Sequence, residues 1–212
     1  MATSYVIANG RSEDANEIAA LINHCLGSCV DTRYCSTLCN SHLAQVWVIK
    51  RAPSVRERLA GVPWRVVAVL CMQLLPGHVL AKVDPSAFRH HWFSRTALIS
   101  FLAVDPGERN KGWSRPLIER AAKWALAQHA THIAAVSWAP VQGVQSRDML
   151  LRADFRELAR VPMSKVQPDR LCHVCSGACS CRAAILIRPL SGSAWEAYRD
   201  QHRAGRRPAR KK

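Results

Sequence analysis

Two groups of residues have types and spacings that support chemistry. The first is Arg109-Asn110-Lys111-Gly112-Trp113-Ser114. An apolar run, 96–104, leads into this loop, and a segment of helical period follows it. Backbone N–H groups in the first turn of a helix have no internal partner and carry the positive end of its dipole, so an anion is the natural ligand, above all a pyrophosphate. Gly112 keeps a Cβ out of the way of such a group, Arg109 and Lys111 add charge, and Ser114 offers a hydroxyl. The second group is Cys172-x-x-Cys175-x-x-x-Cys179-x-Cys181, four thiols within ten residues. Such a set suits a zinc ion or an iron–sulfur centre, although the final one-residue spacing is tight for a single tetrahedral site. A looser set, Cys25, Cys29, Cys35 and Cys39, lies near His24 and His42. Its i, i+4 pair Cys25 and Cys29 suits a metal or small-residue packing equally.

The loop resembles the signature of the GNAT acyltransferase superfamily, in which a strand ending in V-x-P leads to R/Q-x-x-G-x-G/A at a helix start. Here Val104-Asp105-Pro106 precedes Arg109-Asn110-Lys111-Gly112-Trp113-Ser114, with Ser114 in place of the usual Gly or Ala. Met149 to Glu157 is similar to that family's helix-to-strand corner, with Asp154 where glycine is usual; aspartate tolerates the left-handed backbone at modest cost. The resemblance implies that the loop amides bind the pyrophosphate of acetyl-CoA or a related acyl-CoA. It also implies that strand 96–104, with Leu102 and Val104 at its end, splays from its neighbour to admit the pantetheine arm. The activity implied is transfer of an acyl group to an amine acceptor.

Such a transfer needs a way to deprotonate the amine, donors for the oxyanion and an acid for the leaving thiolate. The family's common strand glutamate and corner tyrosine are both missing, since strand 96–104 has no acid and Leu150 stands at the tyrosine position. The remaining candidates are Ser100 on that strand, Ser137 on the next, and His91 (with His90) in the insertion before them. Histidine has a pKa suited to a general base, and an exposed loop pair is its bland alternative. Residues 110–115, 136–140 and 150–157 are also loosely similar to phage Mom-type proteins, which put a GNAT fold to work on DNA bases. A third reading is a metal-stabilised binding protein that kept the fold without the base.

Strands are expected at 4–9, 44–51, 65–75, 96–104, 131–138, 155–166 and 182–190, from short apolar or alternating runs. Helices are expected from Ser12 through Leu26, over about 114–128 and over about 142–153, with a short helix or loop at 25–41 and a turn-rich connection at 53–63. This order indicates an α/β (α+β) fold, and the resemblance makes it a GNAT-like mixed, mostly antiparallel sheet with a central strand splay and helices on both faces. Residues 1–190 form the expected acyltransferase domain, carrying the Cys-rich loop at 172–181. Residues 191–212 form a terminal helix and a disordered basic tail.

The chain has 212 residues and 49% hydrophobic content, enough for one domain with a substantial core. Lysine and arginine number 30 against 15 acids, a net charge of +15; six of the positive charges lie in the last ten residues, leaving +9 on the rest. That excess predicts an anionic partner, either a phosphorylated cofactor or nucleic acid. No apolar run is long enough to span a membrane and no export signal opens the chain. The expectation is a cytoplasmic protein with reduced cysteines.

Overall fold

The computed structural model describes residues 3–27, 30–76, 95–139, 146–166, 175 and 181–190. Seven strands form one sheet: β1 (Tyr5–Asn9), β2 (Ala44–Arg51), β3 (Arg65–Pro76), β4 (Arg95–Val104), β5 (His132–Ala139), β6 (Arg156–Pro162) and β7 (Arg182–Pro189). Their order across the sheet is β1-β2-β3-β4-β5-β7-β6, and every neighbouring pair is antiparallel except the parallel β4 and β5. The helices are α1 (Ala15–Leu26), α2 (Thr32–Asn40), α3 (Val55–Leu59), α4 (Ser114–Ala127), α5 (Ser146–Arg152) and α6 (Met163–Val166). No helix among the described residues is long and apolar enough to cross a membrane.

Side-chain alternation sends the two faces of the sheet to different cores. Val46, Val48, Val69 and Cys71 meet Ile18, Ile22, Cys35 and Leu38 of α1 and α2. Ile49, Leu70, Met72 and Ile99 meet Leu117, Ile118 and Ala121 of α4 and Leu150 of α5. Trp124 of α4 sets its ring edge-on to Trp47 of β2, with centroids 5.9 Å apart. The mixed, mostly antiparallel sheet with helices on both faces is thus the architecture expected.

Two details depart from the sequence reading, at 53–63 and at the end of β6, and the open reading of 25–41 resolves to a helix. Within 53–63 lies helix α3, opened by a reciprocal cap: Ser54 accepts from the Glu57 N–H while the Glu57 carboxylate accepts from the Ser54 N–H. The S-x-x-E signal for it is in the sequence. Within 25–41, α2 starts at an N-cap, Asp31, whose carboxylate accepts from Tyr34 N at 2.6 Å. The last β-hairpin is shorter than read: β6 stops at Pro162, which has no N–H for a ladder bond, and the chain turns into α6. Of the helix read at 142–153, the first residues lie outside the described residues, and α5 is described from Ser146. The insertion at 77–94 and the terminal segment 191–212 lie outside the described residues.

Candidate active site

The central feature is an opening in the sheet. Strands β4 and β5 are 10 and 8 residues long, yet they pair only over Thr96↔His132, Ala97↔Ile133, Leu98↔Ala134 and Ile99↔Ala135. Beyond Ile99 and Ala135 each strand continues without the other. A β-bulge sits at the same level: Met72 of β3 faces Ile99 while Cys71 faces Phe101, so Ser100 has no register partner in either neighbouring strand. A one-residue bulge reverses the alternation that follows it. Ala97 and Ile99 point to the α4 face before the bulge; after it Phe101 and Ala103 face α1 and α2, and Leu102 and Val104 face α4.

At the end of β4 the main-chain groups of alternate residues turn to the open side. Asp105 N donates to Val67 O at 2.9 Å, which makes Val104↔Ala68 a pair without mutual hydrogen bonds. The main-chain groups of Val104, and of Leu102 two residues earlier, therefore point away from β3 and into the split. The Val104 carbonyl accepts there from Cys25 Sγ at 3.3 Å and from Arg109 Nε at 3.3 Å. Burial raises the Cys25 pKa against the opposing pull of the Arg109 charge, so the thiol stays protonated.

Below the split, the loop is firmly held. Asp105 accepts from Gly107 N at 2.9 Å and from Arg65 Nη2 at 2.6 Å, fixing the one-turn 3-10 helix Pro106–Glu108. Asn110 and Gly112 then take left-handed conformations, at φ 63° and 79°. Alternation of left- and right-handed residues makes a concavity of converging N–H groups. The N–H groups of residues 110–114 meet no acceptor among the described residues. Nor is the helix start satisfied from within: the N-cap is Trp113, which makes no side-chain cap, and no acid lies in the first turn. A Cβ on Gly112 would meet nothing within 4 Å, so the concavity opens outward. Main-chain amides arranged in this way suit an anion.

The charged side chains around it divide. Arg109 is exposed beside the loop. Lys111 instead turns back to Glu108 at 2.7 Å and to the Tyr5 hydroxyl at 3.1 Å, and that hydroxyl donates to Glu108 at 2.9 Å. Burial works against the Glu108 charge, but the hydrogen bonds from Lys111 and Tyr5 hold its carboxyl below the usual range. Trp113 packs on the Tyr5 ring, with centroids 4.7 Å apart. Tyr5, Glu108, Lys111 and Trp113 thus tie the loop to the edge strand β1. Tyr5 and Glu108 were not anticipated, because their partners lie a hundred residues apart in sequence.

Among the other candidates, Ser137 is fully buried, its hydroxyl 2.7 Å from that of Ser146 at the start of α5. Ser100 donates to Gln73 Oε1 at 2.6 Å. His91 lies outside the described residues, as do Cys172 and Cys179. Cys175 and Cys181 are brought together, Sγ to Sγ 3.6 Å, with Cys181 buried beside Val161 and Met163. Among the described residues no group of three or more potential metal ligands forms; of the looser set, Cys29 lies outside the described residues. Cys35 and Cys71 are buried, and desolvation pushes Cys39 up to about 11 and Cys71 up to about 12. At the second corner Asp154 has φ 64°, Phe155 N donates to Leu150 O and Asp154 N to Leu151 O, a left-handed helix stop. Leu150 is buried in the larger core.

Residues 66–153, spanning β3, the split, the anion loop and α5, match the model of the Acetyltransferase (GNAT) family. This stretch carries a GNAT acetyltransferase domain, which supports acyl-CoA-dependent N-acyl transfer. Among solved structures, NAA60 of Arabidopsis thaliana with acetyl-CoA is similar at a TM-score of 0.65 and 11% identity, covering 89% of this chain and 100% of that one. The ribosomal-protein-S18-alanine N-acetyltransferase of Escherichia coli is similar at a TM-score of 0.57 and 11% identity, over 89% and 95% of the two chains. A chain of the NatC complex bound to Gag peptide and CoA reaches a TM-score of 0.59 and 18% identity, over 90% and 100%. At these identities the likeness is one of fold. No curated protein sequence matches the chain.

Proposed function

We propose that this protein transfers an acetyl group from acetyl-CoA to the α-amine of a protein or peptide. One observation carries the reading: the β4–β5 pairing ends at Ile99↔Ala135, and β4 runs on unpaired with β5 toward a left-handed loop of unpaired amides at 110–114. The choice of amine rests on two further points. Residues 100–104 and 136–139 include no Asp, Glu, His, Lys or Cys, so neither strand edge of the split offers a base. A site of that kind favours an amine that is already neutral in a useful fraction. An α-amine, with a pKa of about 7.7–8.0, is neutral about one time in four at pH 7.4, whereas a lysine amine at about 10.4 is neutral only about once in a thousand. The similar structures named above include one whose acceptor is the alanine of a ribosomal protein and one holding a peptide.

The test is thiol release from acetyl-CoA with a panel of peptides of varied first residue, a matched set with blocked N-termini and internal lysines, and duplex DNA. Acetylation confined to free α-amines supports the proposal. Acetylation of the blocked lysine peptides or of DNA alone would sink it.

A second reading concerns the cysteines. We infer that Cys172, Cys175, Cys179 and Cys181 hold a zinc or iron centre that ties the β6–β7 connection to the sheet. Zinc–thiolate bonds of about 2.3 Å in a tetrahedron set two sulfurs about 3.8 Å apart. The 3.6 Å between Cys175 and Cys181 fits that spacing and is far from a disulfide. Elemental analysis of the reduced protein should find about one zinc, or iron in cluster stoichiometry, lost in Cys175→Ser. Metal-free protein of unchanged thermal stability would refute it.

A further inference from the structure

The two central strands are almost wholly apolar. Within Val66–Leu75 the one polar side chain is Gln73, and within Ala97–Val104 it is Ser100. Burying polar groups in such strands is costly unless they are paired, and these two are paired with each other, Ser100 Oγ donating to Gln73 Oε1 at 2.6 Å. Their meeting place is the bulge where the sheet opens. Both lie on the α1–α2 face: Gln73 alternates with Cys71 and Val69, which face those helices, and Ser100 reaches Gln73 from the bulge. A third polar group joins them from α2. The Tyr34 ring stands edge-on to Phe101, with centroids 6.3 Å apart at 86°, and the Gln73 side chain is close enough to act on its phenol.

The direction of these bonds matters. A hydroxyl has one proton and two lone pairs. With its proton fixed on Gln73, the Ser100 oxygen is left as an acceptor. Gln73 still has its NH2 group to turn toward the Tyr34 oxygen, which would leave the Tyr34 proton to donate elsewhere. The ionisable groups that act on Tyr34 are the thiols of Cys35 and Cys71, both buried. None of the three groups is suited to take up a proton, since Gln73 is a neutral amide and burial raises the Tyr34 phenol above its ordinary 10. They can orient a reactant.

We propose that Ser100, with its proton fixed on Gln73, accepts an N–H from the acceptor amine and aims the nitrogen lone pair at the thioester carbon, while Gln73 and Tyr34 act as positioning residues behind it. The acyl-CoA enters from the α4 face, where the anion loop lies, so the amine must come from the opposite face, where this trio lies. The nitrogen lone pair forms the new C–N bond and the C–S bond breaks, with the electron pair leaving on the CoA sulfur. The proton lost by nitrogen passes through water to that sulfur. The inference rests on the acyl-transfer reading above and adds to it the residue that seats the nucleophile.

The experiment uses the full chain and its best peptide acceptor, with acetyl-CoA affinity measured separately by calorimetry. Ser100→Ala should lower kcat/KM by about ten- to thirty-fold, the usual effect of one oriented hydrogen bond in a transition state, with acetyl-CoA affinity unchanged. Ser100→Thr should restore most of the loss. Gln73→Leu should match Ser100→Ala, and the double variant should be no worse than either single one, because the two side chains act as a unit. Tyr34→Phe should raise KM for the peptide more than it lowers kcat. Wild-type kcat/KM in Ser100→Ala, fully additive losses in the double variant, or a parallel loss of acetyl-CoA affinity would each overturn the proposal. Should the wild type acetylate no peptide, the α-amine reading fails on its own. The seat is then read on hydrolysis of acetyl-CoA, where water replaces the amine, and equal hydrolysis by wild type and Ser100→Ala would defeat it.

Discussion

Replacing Gly112 tests the anion loop most directly, because shape and charge can be varied separately there. At φ 79° any L-residue strains the backbone by about 1–2 kcal/mol, least for Asn and Asp. A Cβ meets nothing within 4 Å, so both Gly112→Asn and Gly112→Asp should fold. The two side chains are nearly isosteric and differ in charge. A carboxylate about 5 Å from one phosphate charge is repelled by about 0.8 kcal/mol at a dielectric of 80 and about 3.3 kcal/mol at 20. Two phosphate charges double this, so the aspartate variant should bind acetyl-CoA at least about fifteen-fold more weakly than the asparagine variant. Calorimetry at fixed ionic strength measures the difference, which should narrow as salt is raised. Equal affinities for the two variants would show that no phosphate sits against these amides, and the cofactor geometry would have to be abandoned.

Other perturbations follow from the same contacts. Lys111→Met should weaken acetyl-CoA binding by less than about threefold while lowering Tm, because its ammonium is already neutralised by Glu108; a large affinity loss would return Lys111 to the phosphate. Ser137→Ala should cost about 1 kcal/mol in chemical denaturation by removing the bond to Ser146, with kcat unchanged. A collapse of kcat would make Ser137 part of the chemistry after all. His132 is buried and pushed down to about 4, so it stays neutral in the fold while the unfolded chain protonates near 6.5. The unfolded state then binds the extra proton, and stability present above pH 6.5 should fall by up to about 3 kcal/mol on acidification to pH 4. His132→Asn should flatten that slope in pH-dependent denaturation. Asp154→Gly should raise Tm slightly by relieving the left-handed aspartate, by ~0.5 kcal/mol.

Much of the fold is readable in the sequence because its signals are local. The apolar runs 65–75 and 96–104 are strands, and Val104-Asp105-Pro106 marks where the second must end. The glycine at 112 and the aspartate at 154 stand at left-handed positions, each readable from one residue and its place in a motif. What is missed depends on contacts that no local pattern encodes. The loop reads as a row of cations, Arg109 and Lys111 alike, yet Glu108 three residues earlier and Tyr5 on a distant strand take the lysine out of it. Ser137 looks like a free hydroxyl beside the split until α5 places Ser146 against it. The short helix α3 had a legible capping signal, but it falls in a basic stretch whose prolines argue for turns.

The bulge explains why one short stretch of β4 can serve two reactants. An unbroken strand would send Ile99, Phe101 and Ala103 to the same face and keep β4 paired with β3 in simple register. The extra residue at Ser100 reverses that alternation, so Leu102 and Val104 lie on the α4 side with the anion loop while Phe101 lies on the α2 side with Tyr34. It also leaves one residue free of both neighbouring strands, and that residue carries a hydroxyl. Deleting the bulge by removing Ser100 should therefore do more than remove an oxygen. It would re-register 101–104 by one residue and turn Leu102 and Val104 from the core they now pack against, so loss of acetyl-CoA binding should accompany loss of transfer. Ser100→Ala leaves the register intact and should separate the two.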